Sequence, residues 1–234
     1  MACSPWKQEE PPAVRRASLM LAAVLVAGCA GAPSGATPVP TQAPAALPAG
    51  TYSSAAFRPA VTYTVPAGWR VTSDASDYFA LQPVDSEVTG IHLFRDPLAA
   101  SQDAACPTIA EPGVGKLSLE LATWIRGLPG IIASSPRMAT VGGLRGVELD
   151  LALNTGWTAS CSYANGVPTV PLFVGTTGTL RWTVAGNERL RVALLDVPGG
   201  GTVVVDVDAF DGTLMDGLLA AAAPIVQSLS FATP

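Results

Sequence analysis

Polar and apolar residues alternate along the second half of the chain. In GVELDLAL, residues 146–153, Val147, Leu149, Leu151 and Leu153 share one face and Glu148 and Asp150 the other. In ERLRVALLDV, residues 188–197, Leu190, Val192 and Leu194 oppose Arg189 and Arg191. In TVVVDVDAF, residues 202–210, Val203, Val205 and Val207 oppose Asp206 and Asp208. This period of two predicts half-buried antiparallel strands. It also predicts that Asp206 and Asp208 face solvent, as partners of Arg189 and Arg191. The PGGG stretch, residues 198–201, predicts a hairpin turn between the last two strands, because glycine accepts positive φ. VAGNE, residues 184–188, predicts a turn between strands over 180–184 and 189–196. In the less regular first half, Val61–Val65, Tyr78–Gln82 and Ile91–Phe94 read as strands.

Two segments switch to helical spacing. Leu117, Leu121, Trp124, Ile125 and Leu128 form one stripe, ended by Gly127 and Pro129. Leu214, Leu218, Ala222, Ile225 and Leu229 form a second. Pro224 is expected to kink or split that helix, and Gly217 and Ala221 are expected to permit close approach to a sheet. The fold class is therefore α+β: a mostly antiparallel sheet with helices covering its apolar face.

The N-terminus carries a different signal. Arg15 and Arg16 precede an uncharged apolar run from Ala17 to about Ala27. About eleven helical residues rise only ~16 Å, against a hydrocarbon core of ~30 Å, so the run is too short to span a bilayer. A basic region, a short apolar region and small residues at the exit describe a secretory signal peptide. Val26-Ala27-Gly28-Cys29 resembles the bacterial lipobox. That resemblance implies cleavage after residue 28 and attachment of diacylglycerol to the Cys29 thiol, whose thiolate is a good nucleophile. The two arginines also partly resemble a twin-arginine export signal.

Five prolines within residues 30–50 exclude helix and sheet ladder there, which leaves a flexible tether. The expected organisation is a signal peptide over residues 1–28, an acylated N-terminus and tether over 29–50, and one globular domain over 51–234. Several acyl chains, at ~0.8 kcal/mol per buried methylene, hold essentially permanently. The expected location is outside the cytoplasm, lipid-anchored to the outer face of the cell membrane, or to the outer membrane if the cell has one.

Composition narrows the chemistry. Hydrophobic residues make up 49% and charged residues 13% of the chain, the reverse of a disordered composition. Without residues 1–28, ten basic and sixteen acidic residues remain, a mature charge of -6. There is no basic face of the kind nucleic acid requires. With the thiols of an exported protein expected to pair, Cys106 and Cys161 form the predicted disulfide. His92 is the one histidine of the sequence and sits in a predicted strand. A serine or cysteine nucleophile would need it as base, and no Gly-x-Ser-x-Gly elbow accompanies it. One histidine and paired thiols leave no His/Cys metal site. Asp206, Asp208 and Asp211 are mis-spaced for an EF-hand calcium loop. No cofactor is implied.

TVPAGW, TWIRGLPGIIASSPRMATVGGLRGVELDL, a mid-domain cysteine, LLDVPGGGTVVVDVDAF and a closing APIVQSLSF together resemble lipoproteins of high-GC bacteria with a PsbP-like α-β-α sandwich domain. The resemblance spans about residues 57–232 and rests on turns and strand patterns. It implies a small, non-enzymatic domain that binds a partner or ligand, and it carries over no catalytic residue. Residues 154–179 read as an irregular insertion. Within it Trp157 and Tyr163 stand in a polar loop near Cys161 and form the candidate binding loop, with a glycan, a lipid or a protein as the contact.

The functional expectation is a membrane-tethered binding or scaffolding module of the cell envelope that catalyses nothing. The alternatives are an envelope hydrolase using carboxylates alone, and a carrier gripping an apolar ligand between sheet and helix.

Overall fold

The computed structural model describes residues 45–176 and 180–232. The expected signal peptide, Cys29 and the first part of the expected tether lie outside the described residues. Pairing begins at Leu47, whose N–H donates to the Trp69 carbonyl at 2.7 Å.

The strands are β1 (Gly50–Ser53), β2 (Val61–Val65), β3 (Trp69–Asp74), β4 (Tyr78–Pro83), β5 (Gly90–Arg95) and β6 (Leu98–Ala99). Helix α1 (Ser118–Gly127) follows, then β7 (Ile131–Ala133), β8 (Arg137–Val141), β9 (Leu144–Leu153), β10 (Thr169–Val174) and β11 (Arg181–Ala185). The chain closes with β12 (Arg189–Asp196), β13 (Thr202–Ala209), α2 (Met215–Ser228) and β14 (Ser230–Phe231).

One large antiparallel sheet runs β3-β4-β5-β13-β12-β9-β7, with β8 also pairing β9. Two three-stranded sheets, β1-β2-β14 and β11-β10-β6, accompany it. The large sheet is buried on both faces. On one face Phe79, Leu93, Val205 and Leu195 pack against α2 and the β1-β2-β14 sheet. On the other, Phe94, Val204, Val192 and Leu149 pack against α1 and the β11-β10-β6 sheet. The architecture is α+β as expected but richer in strand, since each helix shares its face with a small sheet.

Two faces of burial overturn the sequence reading of β13. All eight of its residues are buried. The register pairs Leu190 with Asp208 and Val192 with Asp206, while Arg191 pairs with Val207 and Arg189 with Ala209. Asp206 and Asp208 therefore share a face with the apolar set of β12, beneath the second sheet, and do not meet the arginines. Arg191 bonds Asp150 on β9 instead, Nε to Oδ1 at 2.6 Å, and Arg137 joins the same group through Glu148 and Asp150.

The β12–β13 hairpin forms at PGGG as expected. Gly199, Gly200 and Gly201 all have positive φ, and the Val197 N–H closes the turn on the Gly201 carbonyl at 3.0 Å. The turn at 184–188 also forms, but β11 and β12 belong to different sheets. The chain turns a corner there, from the small sheet onto the large one.

In α1, Leu121 and Ile125 are buried as the stripe predicts, whereas Leu117 is 49% exposed. Asp196 at the end of β12 accepts from both the Ser118 N–H and hydroxyl at 2.8 Å, seating the helix start on the sheet. Helix α2 runs unbroken through Pro224. Its stripe buries Leu218, Ala222 and Ile225, while Leu214 lies outside the helix and is exposed. Gly217 and Ala221 are exposed too, so the expected close approach does not occur there. A Cβ on Gly217 meets nothing within 4 Å. Gly217→Ala is therefore expected to raise stability by roughly 0.5–1 kcal/mol, read by urea unfolding. An unchanged or lower midpoint contradicts this.

No helix among the described residues is long and apolar enough to cross a membrane.

Candidate functional site

The face of the large sheet that meets the β11-β10-β6 sheet carries polar groups at one end. Pairing places His92 of β5 opposite both Ala80 of β4 and Asp206 of β13. Tyr78 stands two pairs along, opposite Phe94 and on the same face. Asp208 lies two residues beyond Asp206 on the same face. Trp182 of β11 closes over them, and the corner after β11 delivers Glu188.

These groups are dry. His92 is 1% exposed, Asp206 0%, Asp208 2% and Glu188 7%. Tyr78 Oη lies 2.9 Å from His92 Nδ1. The Trp182 indole donates from Nε1 to Asp206 Oδ2 at 2.8 Å, and its ring lies 4.5 Å from the imidazole, centroid to centroid. The Ala185 N–H donates to Glu188 Oε2 at 2.7 Å, so the corner itself orients this carboxyl. Glu188 is also in hydrogen-bonding contact with Asp208. Two carboxylates possess only acceptors, so that contact needs a proton.

The electrostatics follow from this burial. Desolvation, then the Glu188 and Asp206 charges and the shared hydrogen bond, push Asp208 up to about 11. Desolvation raises Glu188 to about 7, against the hydrogen bonds from Asp208 and the Ala185 N–H. Asp206 is raised well above the usual range by burial and then by Glu188, with the Trp182 donor opposing. Burial lowers His92 to about 4, the Val88 backbone opposing, so its imidazole is neutral. Among the described residues no arginine or lysine forms an ion pair with the three acids.

Asp206 Oδ1 lies buried without any partner, and Asp208 Oδ1 meets no N–H or hydroxyl donor. Buried polar atoms in native proteins are nearly always bonded, so such orphans call for an explanation. A pocket of about 320 Å³ opens beside them, with Tyr78, His92, Trp182, Glu188 and Phe210 along its walls. Glu87 and Arg181 also line it. The gap between α2 and the sheet holds about 160 Å³, below the roughly 300–1,000 Å³ of small-molecule sites.

The residues singled out from sequence fall elsewhere. Cys106 and Cys161 form the expected disulfide, with Cα atoms 5.7 Å apart. Trp157 does not stand free. It donates from Nε1 to the Thr169 carbonyl at 3.0 Å and packs on the core. A Cβ on Gly130 would sit 2.7 Å from its ring, so the chain approaches it closely. Tyr163, on a 3-10 turn at Ser162–Ala164, is 37% exposed, and the Arg181 guanidinium lies 4.1 Å over its ring. Through Arg181 the disulfide-pinned loop reaches the pocket, but only at its edge. Asp211 accepts from the Thr213 N–H at 3.0 Å and caps the turn before α2. No three His, Cys, Asp or Glu among the described residues are arranged to hold a metal ion.

The cluster of Tyr78, His92, Trp182, Glu188, Asp206 and Asp208 was missed from sequence. The available signal was Val203-Val204-Val205 on β13, an unbroken apolar run that marks a strand buried on both faces.

No protein-family model matches this chain, and no curated protein matches it. Two solved structures are similar to it. LpqN, involved in cell envelope biogenesis of Mycobacterium tuberculosis, is 18% identical with a TM-score of 0.38, over 74% of this chain and 83% of that one. The cyanobacterial PsbP (CyanoP) of Synechocystis sp. PCC 6803 is 10% identical with a TM-score of 0.39, over 88% of this chain and 100% of that one. At these scores the likeness is loose, and the functional argument rests on the residues of this chain.

Proposed function

We propose that this chain is a membrane-tethered module outside the cytoplasm that binds a ligand or partner in the cell envelope without transforming it. The observation that carries the reading is the pocket beside His92, Trp182 and Glu188, backed by an Asp206 oxygen buried without a partner. A concave site of aromatic walls with a few placed polar groups is the usual form of a ligand pocket.

Two features favour binding over catalysis. The imidazole is buried and neutral and its Nδ1 is engaged by Tyr78. A paired-acid glycosidase separates its two carboxyls by about 5–10 Å, whereas Glu188 and Asp208 are in contact. The disulfide suits an oxidising compartment. The tether supplies the location: Cys29 is the acylation site and the membrane its first partner.

Intact-mass analysis of protein purified from membranes is the test. The expected mass is that of a chain beginning at Cys29 with an attached diacylglyceryl group, and Cys29→Ala is expected to leave the membrane fraction or retain its leader. A free Cys29 thiol on native material, or a full-length chain in the cytosol, contradicts the reading.

A further inference from the structure

We propose that the pocket between Trp182, Phe210 and Glu188 takes a small organic cation, a primary ammonium on a short apolar body, which enters in exchange for the proton carried by Glu188. The proposal rests on the binding reading above and adds the class of ligand.

The walls specify both halves of such a molecule. Tyr78, Trp182 and Phe210 line the pocket with aromatic surface, and aromatic faces attract cations as well as apolar groups. Glu188 and Glu87 are the acids that line the pocket, and the Glu188 carboxyl is held in place by the Ala185 N–H. Behind it Asp206 keeps one buried oxygen unpartnered, and Asp208 Oδ1 meets no N–H or hydroxyl donor. The Glu188 carboxyl is the group of the cluster that both lines the pocket and ionises near neutrality, so what completes the site there is a donor, and an ammonium has three. His92, neutral by burial, stands in the same wall.

The charged groups facing Glu188 come from every neighbouring element. Asp206 and Asp208 face it from β13, His92 and Tyr78 share its pocket from β5 and β4, and Glu87 and Arg181 complete the lining. Arg189 adjoins it on β12, and both line a second cavity. Arg181 does not supply the missing cation. Its guanidinium sits over the Tyr163 ring and bonds the Thr108 hydroxyl. Of these groups, Glu188 is the one set to change charge near neutrality, at about 7. An arriving ammonium favours the ionised carboxyl, so binding releases a proton. Affinity then rises as pH rises, until Glu188 is ionised without help.

The test follows the Trp182 indole N–H by NMR in the full chain in detergent, assigned by its loss in Trp182→Phe. The probes are phenethylammonium, its neutral counterpart phenethyl alcohol, and phenylacetate. The amine is expected to shift the resonance saturably and to bind at least about tenfold tighter than either other probe. Its dissociation constant is expected to fall about tenfold per pH unit from pH 5.5 to 7 and then to level off. Glu188→Gln is expected to lose that dependence and at least about tenfold in affinity.

If the alcohol or the acid binds as tightly as the amine, the cation assignment fails while the binding site stands. Amine binding that is flat with pH, or unchanged in Glu188→Gln, overturns the assignment in the same way. If no probe moves the indole at about 10 mM, the pocket is not a site for small ligands and both readings fall. The comparison of probes on the unaltered chain needs no variant to fold.

Discussion

Replacing Cys106 and Cys161 together by alanine lowers the stability of the folded body by about 4 kcal/mol. The bridge joins residues 55 apart in sequence, and closing a loop of that length removes about 4 kcal/mol of chain entropy from the unfolded state. For a body whose total stability is about 5–15 kcal/mol, that is a large share. The structure places the loss locally as well. The bridge joins the segment after β6 to the one between β9 and β10, where short turns and isolated bonds provide most of the order. Cys161 is 2% exposed and anchors the turn that carries Tyr163. Without it, the Arg181–Tyr163 stack beside the pocket loses one support. Urea unfolding of oxidised protein and the double variant checks this, and a difference below about 1 kcal/mol contradicts it.

Stability falls as pH rises from 6.5 to 9. Asp208 holds its proton in the folded state up to about pH 11 and gives it up near 4 when unfolded. Between those limits the folded state binds more protons than the unfolded one, so rising pH favours unfolding. Each such proton is worth about 1 kcal/mol per pH unit, so Asp208 alone removes on the order of 3 kcal/mol across this window. Glu188 adds to the fall up to about pH 7, and Asp206 acts in the same direction. His92 works the other way: its folded state stays neutral down to about pH 4, so it favours unfolding only as pH falls below its ordinary value of 6.5. Starting at 6.5 excludes that contribution. Asp74 and Asp150, both lowered, likewise act only under acid conditions. Asp208→Asn, which keeps the shape and cannot ionise, is expected to flatten the curve. Stability that is constant or rising over the window contradicts the buried acid cluster.

Much of the scaffold was legible in the sequence, because it is written in local signals. The alternation in β9 and β12 locates those strands, the glycine run locates the hairpin, and two thiols in a chain expected to be exported find each other. The site was not legible, because its parts are not local. Asp206 alternates with valines just as a solvent-facing residue would, and what buries it is Trp182, delivered from another sheet across a corner. Register decided the rest. Leu190 pairs with Asp208, so the apolar set of one strand lies beside the acidic set of the next. Period-two alternation fixes which residues share a face of one strand and leaves open how two strands align. In the aromatic loop, too, the composition does not announce that the Trp157 indole N–H is spent on the Thr169 carbonyl.

The account turns on protons held by carboxyl groups inside the body at neutral pH. Carbon NMR of the aspartate side-chain carboxyls reads this directly. At pH 7 at least one aspartate carboxyl is expected to show the shift of the protonated acid, and Asp208→Asn is expected to remove it. If every aspartate is already ionised at pH 5, the cluster is hydrated or differently arranged, and the site described above is wrong.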